Sequence, residues 1–442
     1  MTRLRQAVMA AGVLASAAAQ AAEAPATSAA AAAVVSAAVS APESGIAGFE
    51  FGGQLRPQWQ SGQANARGPL AQAVSLSPGI AVSPASGATL ETELRASGHG
   101  LSVTATLQQQ RLEGRALHNS AWVNELYASS DAMGWQFSAG KKVVAWDVGY
   151  GFRPNDFVAQ EARRTLLATT TIGRPVLSAE HFDASTAWSF VIVNPTQPQA
   201  QRGAEEPALA MRVYQRDGAA DWHGFARFGA HTGVSVGAAT AWVVSDSIEL
   251  HASARYLHAA DTTALDTAAV DASPTGLVRC NPWIDATVRH AAQALVGGTW
   301  TNAEQLSVLA EAWWDGTALS NAQWIKWNAG NRQLGALAGT PAPVNAVAGN
   351  LAWQGSAFSA AGNLRRANLF ARVSWTHDKW QPAFDVLYTP ADAGRIVTAS
   401  LGWQGDRLRV DGGLRVYGGP GSAVLAQVPT RRVAYVAATW AF

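Results

Sequence analysis

Sulfur and charge are both scarce in this chain of 442 residues: one cysteine, four methionines, and Asp, Glu, Lys and Arg together at only 14%. An ordinary soluble protein carries about 25% charged residues. A lone Cys280 excludes an internal disulfide. With no CxxC and no Cys/His cluster it also excludes a cysteine-bound zinc site, so Cys280 reads as a bystander in a loop. The formal net charge of +1 lacks the basic surplus of a nucleic-acid binder. Beyond the N-terminus no run of roughly 18 residues is apolar enough to cross a bilayer as a helix. An HExxH pair, an Asp-rich calcium loop, a GxSxG elbow and a lysine-bearing phosphate loop are all missing, and Gly418 to Gly421 is turn chemistry. No metal, cofactor or catalytic centre is therefore expected. The nine histidines are scattered, and His251 beside Ser253 is the nearest approach to a catalytic pair.

What is abundant is tryptophan (18) and glycine (41). The N-terminus also has a definite order: Arg3 and Arg5, an apolar run from Ala7 to Ala19, then Ala19-Gln20-Ala21. Basic, apolar, small is the order of a secretory signal, predicted here over residues 1–21. Residues 22–46 are nearly all Ala, Val, Ser, Thr and Pro and read as a disordered leader, with a short helix as the alternative. Residues 47–442 then form one folded unit.

That unit alternates apolar and polar residues in segments of about ten, separated by turn residues, which is the signature of strands with one face in lipid. Leu408, Val410, Leu414 and Val416 share one face, while Arg407, Arg409, Asp411 and Arg415 share the other. Leu369, Ala371, Val373 and Trp375 alternate with Asn368, Arg372, Ser374 and Thr376. Ile248, Leu250, Ala252, Ala254 and Tyr256 alternate with Glu249, His251, Ser253 and Arg255. A soluble sandwich alternates in the same way. The signal and the strand pattern running through Val433 to Phe442 add the export route. Every backbone amide in hydrocarbon must be paired, so strands cross a bilayer only as a closed sheet.

The fold expected is all-β: a transmembrane antiparallel β-barrel of about 18 strands (16–18) with long extracellular loops. Strands are expected to begin near Phe49, Thr89, Leu101, Ser120, Trp135, Val176, Thr186, Ala208, Trp222, Val234, Ile248, His290, Gln305, Ala367, Trp380, Arg395, Arg407 and Val433. Tight turns read at Ser97 to Gly100, Asp217-Gly218, Ser245 to Ser247 and Gly405-Asp406. Longer connections are expected over 61–87, 150–174, 195–206, 259–289 and 317–365, the last holding a short helix from Ser320 to Leu337. The short spacing from the cleavage site to Phe49 leaves no room for a plug domain.

The segment from Gly140 to Phe157, with Lys141 and Lys142, Trp146, Gly149-Tyr150 and Pro154, resembles a motif of porin-like outer-membrane proteins of proteobacteria. Glu311 to Gly316 followed by Gln323-Trp324 resembles the same group. Asp147 departs from the pattern, which has a small residue there. The resemblance implies a barrel in the outer membrane of a Gram-negative bacterium and implies no particular substrate. Its partners would be outer-membrane lipid, the barrel-assembly machinery acting on the strand that ends in Phe442, and small-molecule solutes.

The residues that face inward carry both signs: Glu249, Arg255, Glu311, Arg372, Arg409, Asp411 and Arg415 among them. They form either a structural ladder of Arg–carboxylate pairs or a selective field around a pore. Arg153, with Arg163 and Arg164, either attracts an anionic solute to a constriction loop or pins that loop to the wall. Three readings of function follow. The first is a channel, a porin or substrate-specific pore whose lumen an inward loop narrows. The second is a transporter of hydrophobic compounds, motivated by Trp313, Trp314, Trp324 and Trp327. The third is a surface-binding barrel with a blocked lumen.

Overall fold

A computed structural model describes residues 48–81, 86–159, 171–277, 280–359 and 362–442. The predicted signal and leader lie outside the described residues, as do Arg163 and Arg164. Among the described residues there are eighteen strands. They are β1 (Glu50–Ala64), β2 (Gly87–Gly98), β3 (Leu101–Leu112), β4 (His118–Ala132), β5 (Trp135–Lys142) and β6 (Arg174–Phe182). The wall continues through β7 (Thr186–Val193), β8 (Ala208–Asp217), β9 (Ala220–Gly229), β10 (Gly233–Ser245), β11 (Ile248–Leu265) and β12 (Trp283–Thr301). It ends with β13 (Leu306–Asp315), β14 (Ala367–Trp375), β15 (Trp380–Thr389), β16 (Gly394–Gln404), β17 (Leu408–Gly418) and β18 (Thr430–Ala441).

Each strand pairs antiparallel with the next, and β18 pairs with β1, so the sheet closes on itself and has no free edge. Closure extends to Phe442, whose N–H donates to the Gly53 carbonyl at 3.1 Å and whose carbonyl accepts from Gly53 N–H at 3.0 Å. Only a residue without a side chain fits at position 53, because a Cβ there would meet the Phe442 ring.

The two-residue rhythm sorts side chains as the sequence suggests. Trp59, Leu94, Leu107, Trp222, Val236, Leu250, Phe384 and Leu414 stand open on the outside. Water does not tolerate a continuous apolar surface of this extent, so this face belongs against lipid. Among the described residues no helix is long and apolar enough to cross a membrane, and the crossing falls to the strands.

One rim carries the tight hairpins, including all four expected turns. His99 and Gly100 (φ +50° and +76°) supply the paired left-handed backbone of a two-residue hairpin, and Met133 and Gly134 do the same between β4 and β5. The opposite rim carries the long connections and, among the described residues, four α-helices: α1 (Pro69–Leu76), α2 (Thr267–Gly276), α3 (Asn321–Ala336) and α4 (Val344–Gln354). The helix expected from Ser320 is α3. Ser320 caps it, accepting from Gln323 N–H while the Gln323 side chain accepts from Ser320 N–H. Trp327, Leu334, Val347 and Leu351 bury the helices against one another, forming a cap over this rim.

One expectation needs correcting. The connection over 259–289 is much shorter, because β12 begins at Trp283 and pairs with β11 out to Leu265. The ladder passes a kink at His290 (φ +54°) and continues.

Candidate functional site: the lumen and its inward segment

After β5 the chain leaves the wall. Gly149, Gly151 and Pro154 break the strand pattern. Asp147 then closes the segment on itself: one carboxylate oxygen accepts from Val148 N–H at 2.8 Å, the other from Asn155 N–H at 2.5 Å. Burial holds the Asp147 carboxyl above its ordinary range, and the Asn155 amide only partly offsets this. Arg153 Nε donates to the Gly149 carbonyl at 2.9 Å across the same turn.

The closed segment lies inside the barrel, seated by three kinds of contact. Its apolar edge, Val144, Trp146, Phe157 and Val158, packs on the inward Val176, Val191, Ala210, Phe225 and Ala239 of β6 to β10. Here the inner wall is apolar where a lumen would ordinarily be polar, because the segment covers it. Burying side chains as large as Trp146 and Phe157 stabilises the seat by about 1.5–3 kcal/mol each. Second, Asn155, fully buried, donates through Nδ2 to Ser253 Oγ at 2.9 Å and the Ala254 carbonyl at 3.1 Å. Gly237 faces it, and any Cβ there would strike the Asn155 amide oxygen.

The third contact is the Glu311 carboxylate. It accepts from Tyr150 N–H at 2.7 Å and Gly151 N–H at 2.6 Å, and His251 Nε2 lies 3.0 Å from it. Glu311 and His251 are both sealed from solvent. A carboxylate gathering two adjacent backbone amides makes strong charge-assisted bonds. The two stretches that carry the family resemblance therefore touch each other. Burial, with Glu249 and Glu311 nearby, holds the Tyr150 phenol above its ordinary range.

The remaining expected residues divide. Arg255 belongs to the seat: Nη1 donates to the Pro154 carbonyl at 3.1 Å, and its guanidinium lies 4.3 Å over the Phe157 ring. Glu249 is partly open and lies 3.7 Å from His251. On the facing wall Arg372 pairs with Asp385 (3.3 Å) and Arg409 with Asp411 (2.7 Å), while Arg415 donates to Thr398 Oγ1 at 3.0 Å. Arg56, Glu91, Glu93 and Arg95 continue these pairs on β1 and β2. Of these pairs, Arg372–Asp385 and Arg56–Glu91 cross between strands, whereas Arg409–Asp411 and Arg95–Glu93 lie within one strand. Arg372 and Arg95, at 44% and 51% side-chain exposure, point inward and yet reach solvent.

No protein-family model matches the chain, and no curated protein matches it by sequence. Solved structures do match in outline. Two engineered variants of the porin of Rhodopseudomonas blastica each show a TM-score of 0.42 at 11% identity, covering 89% of this chain and 100% of their own. A structure described as showing asymmetric conductivity of engineered proteins gives 0.41 at 12% identity, with the same coverage.

Between the inward segment, the inner wall from β9 round to β16 and the helical cap lies a cavity of about 850 Å³. The four expected aromatics are not one cluster around it. Trp314 faces outward. Trp313 faces inward, 6.0 Å from the Phe152 ring, and donates to Asn363 Oδ1 at 3.1 Å. Trp327 is core of the cap and donates to the Gln354 carbonyl at 3.0 Å. Trp324 donates to the Leu364 carbonyl at 2.7 Å and presents an edge to the cavity beside Phe358. Among the described residues no group of three His, Cys, Asp or Glu is placed to hold a metal ion.

Sequence reasoning missed three anchors. Glu206, from the β7–β8 connection, is buried against Arg227 (2.8 Å) and accepts from His231 N–H and Thr232 N–H. Asn155 and Arg365 were also unmarked. None carries a local signal, because each is defined by a partner far away in sequence.

Proposed function

We propose that this protein is an outer-membrane channel for small solutes. One observation carries the reading: residues 143–159 cover one half of the inner wall, while inward arginines on the other half stay in contact with solvent. A barrel of this strand number encloses an aqueous path unless loops fill it. Solutes would pass along β14 to β18 and β1 to β3, past paired Arg and carboxylate side chains, with the inward segment setting the width. Location in the outer membrane is supported by the apolar outer face and by the signal predicted over residues 1–21. The tight-turn rim would face the periplasm and the helical cap the exterior. The strand ending in Phe442 would be the handle for the assembly machinery.

Planar-bilayer recording on refolded protein tests the reading. Stepwise, ohmic conductance is the expected result. A folded barrel that stays electrically silent across salt and voltage would remove the channel.

A further inference from the structure

The charges on the inner face of β14 to β18 and β1 to β3 are not level with one another. Glu91 and Glu93 are sealed, at 1% side-chain exposure, while their partners Arg56 and Arg95 reach further out. Gln108 also donates to Glu91, at 2.9 Å, which ties that carboxylate to the neighbouring strand. Arg372 stands at 44% and its partner Asp385 at 16%. In each case the acid lies back against the sheet and the guanidinium is the more open group. Arg409 and Asp411 are the level pair, about equally open.

Register adds an imbalance to this offset. Arg372, Asp385, Thr398 and Arg415 occupy directly opposed positions on β14 to β17, so they form one transverse row on the inner face. Two arginines share that row with one carboxylate. Arg415 donates to Thr398 Oγ1 and makes no ion pair among the described residues. At the strand ends Glu50 and Arg431 offset each other, one at each rim.

The other surfaces along the path do not reverse this. In the inward segment Asp156 is buried, and both Asp147 oxygens accept from backbone amides. On the covered half Lys142 pairs with Glu180, and Glu249 lies against His251. A solute in the lumen is governed by the nearer charge. Coulomb energy falls with distance, and salt screens it over about 8 Å at physiological ionic strength. A guanidinium in the open is therefore felt more strongly than the carboxylate sealed behind it. Charges lining a narrow path set which ions it passes.

We propose that the lumen is anion-selective, with Arg95, Arg372 and Arg415 favouring small anions along the open arginines of the wall. The proposal rests on the channel reading and names the class of solute that the channel prefers.

Reversal potentials across planar bilayers under a KCl gradient test it, with refolded full chain and with potassium and chloride as the probes. Chloride should pass in preference to potassium by roughly twofold or more, the effect of one unit charge at about 7 Å in water. Raising the salt from about 0.1 M to about 1 M should bring the ratio towards one, because the screening length falls from about 10 Å to about 3 Å. Arg95→Gln should weaken the preference. The double variant Arg372→Gln/Arg415→Gln leaves Asp385 as the charge of its row and should shift the ratio towards potassium, and Arg372→Lys/Arg415→Lys should restore chloride. Heat-modifiable migration on gels shows that each variant has folded. A conducting parent that favours potassium, or an unmoved ratio in the folded double glutamine variant, overturns the anion preference and leaves the channel standing. A folded parent that stays silent overturns both.

Discussion

At the scale of single residues, the inward segment hangs on one carboxylate and one missing side chain. A Cβ on Gly151 would sit 2.7 Å from Glu311 Oε2 and 3.1 Å from the Trp313 ring. Neither has room to yield, since both are buried. Gly151→Ala should therefore lift the amide pair off Glu311 and leave a sealed carboxylate short of donors, costing roughly 1–3 kcal/mol of docking. Limited proteolysis between residues 143 and 173 would detect the release, and a variant as resistant as the parent would refute the clamp. Asp147 adds a pH term. Its carboxyl is raised by burial in the docked segment, so ionisation costs more docked than free. Docking should tighten as pH falls from neutral towards the ordinary aspartate value of 3.8, where the contribution is complete. Amide hydrogen exchange at Asn155 measures this, and protection that weakens on mild acidification would contradict the sign. Which side chains face inward was legible from the two-residue period, so Glu311 and Arg255 could be named from sequence. Their partners could not. Gly151 and Glu311 are separated by 160 positions, and alternation reports a face without reporting what lies against it.

Among elements, the strands were the most legible and the cap the least. Seventeen of the eighteen strand starts fall within three residues of expectation, because lipid on one side and polar groups on the other impose a period of two. β12 is the exception, starting seven residues before His290. Its first residues pair with β11 between α2 and the kink, near the capped rim, where the lipid constraint ends and the alternation blurs. The helices escaped for a related reason. α3 was expected as the short helix from Ser320 to Leu337, whereas α1, α2 and α4 are short and lean on neighbouring helices for burial. The cap should then behave as a unit separate from the wall. Trp327 is fully buried, in contact with Trp324 and Phe358. Trp327→Ala should cost about 3–5 kcal/mol of cap stability through cavity formation. The strand signal in circular dichroism should persist while protease gains access to residues 321–354. Loss of the barrel together with the cap would show that the two are one cooperative structure.

For the whole molecule, the balance between a packed interior and a wet one decides what the barrel can do. The half from β6 to β13 behaves as a protein core, with Phe225 stacked on Trp146 and edge-on to Phe157, and with Glu311 and Asn155 sealed. The half from β14 through β18 to β3 carries paired charges, of which Arg372, Arg409 and Arg95 reach solvent while Glu91 and Glu93 are sealed. The first half depends on the inward segment, which covers the inward Val176, Val191, Val193, Ala208, Ala210, Phe225 and Ala239. Replacing residues 147–156 with a short Gly-Ser link should therefore vacate lumen without opening the wall, whose hydrogen bonds all run between strands. Single-channel conductance should rise by roughly twofold or more as the covered half becomes available to ions. Heat-modifiable migration on gels would report that the barrel still forms, so that a silent variant is not mistaken for an unfolded one. A folded variant with unchanged conductance would mean that the inward segment does not set the width of the path, and that the limit lies in the helical cap.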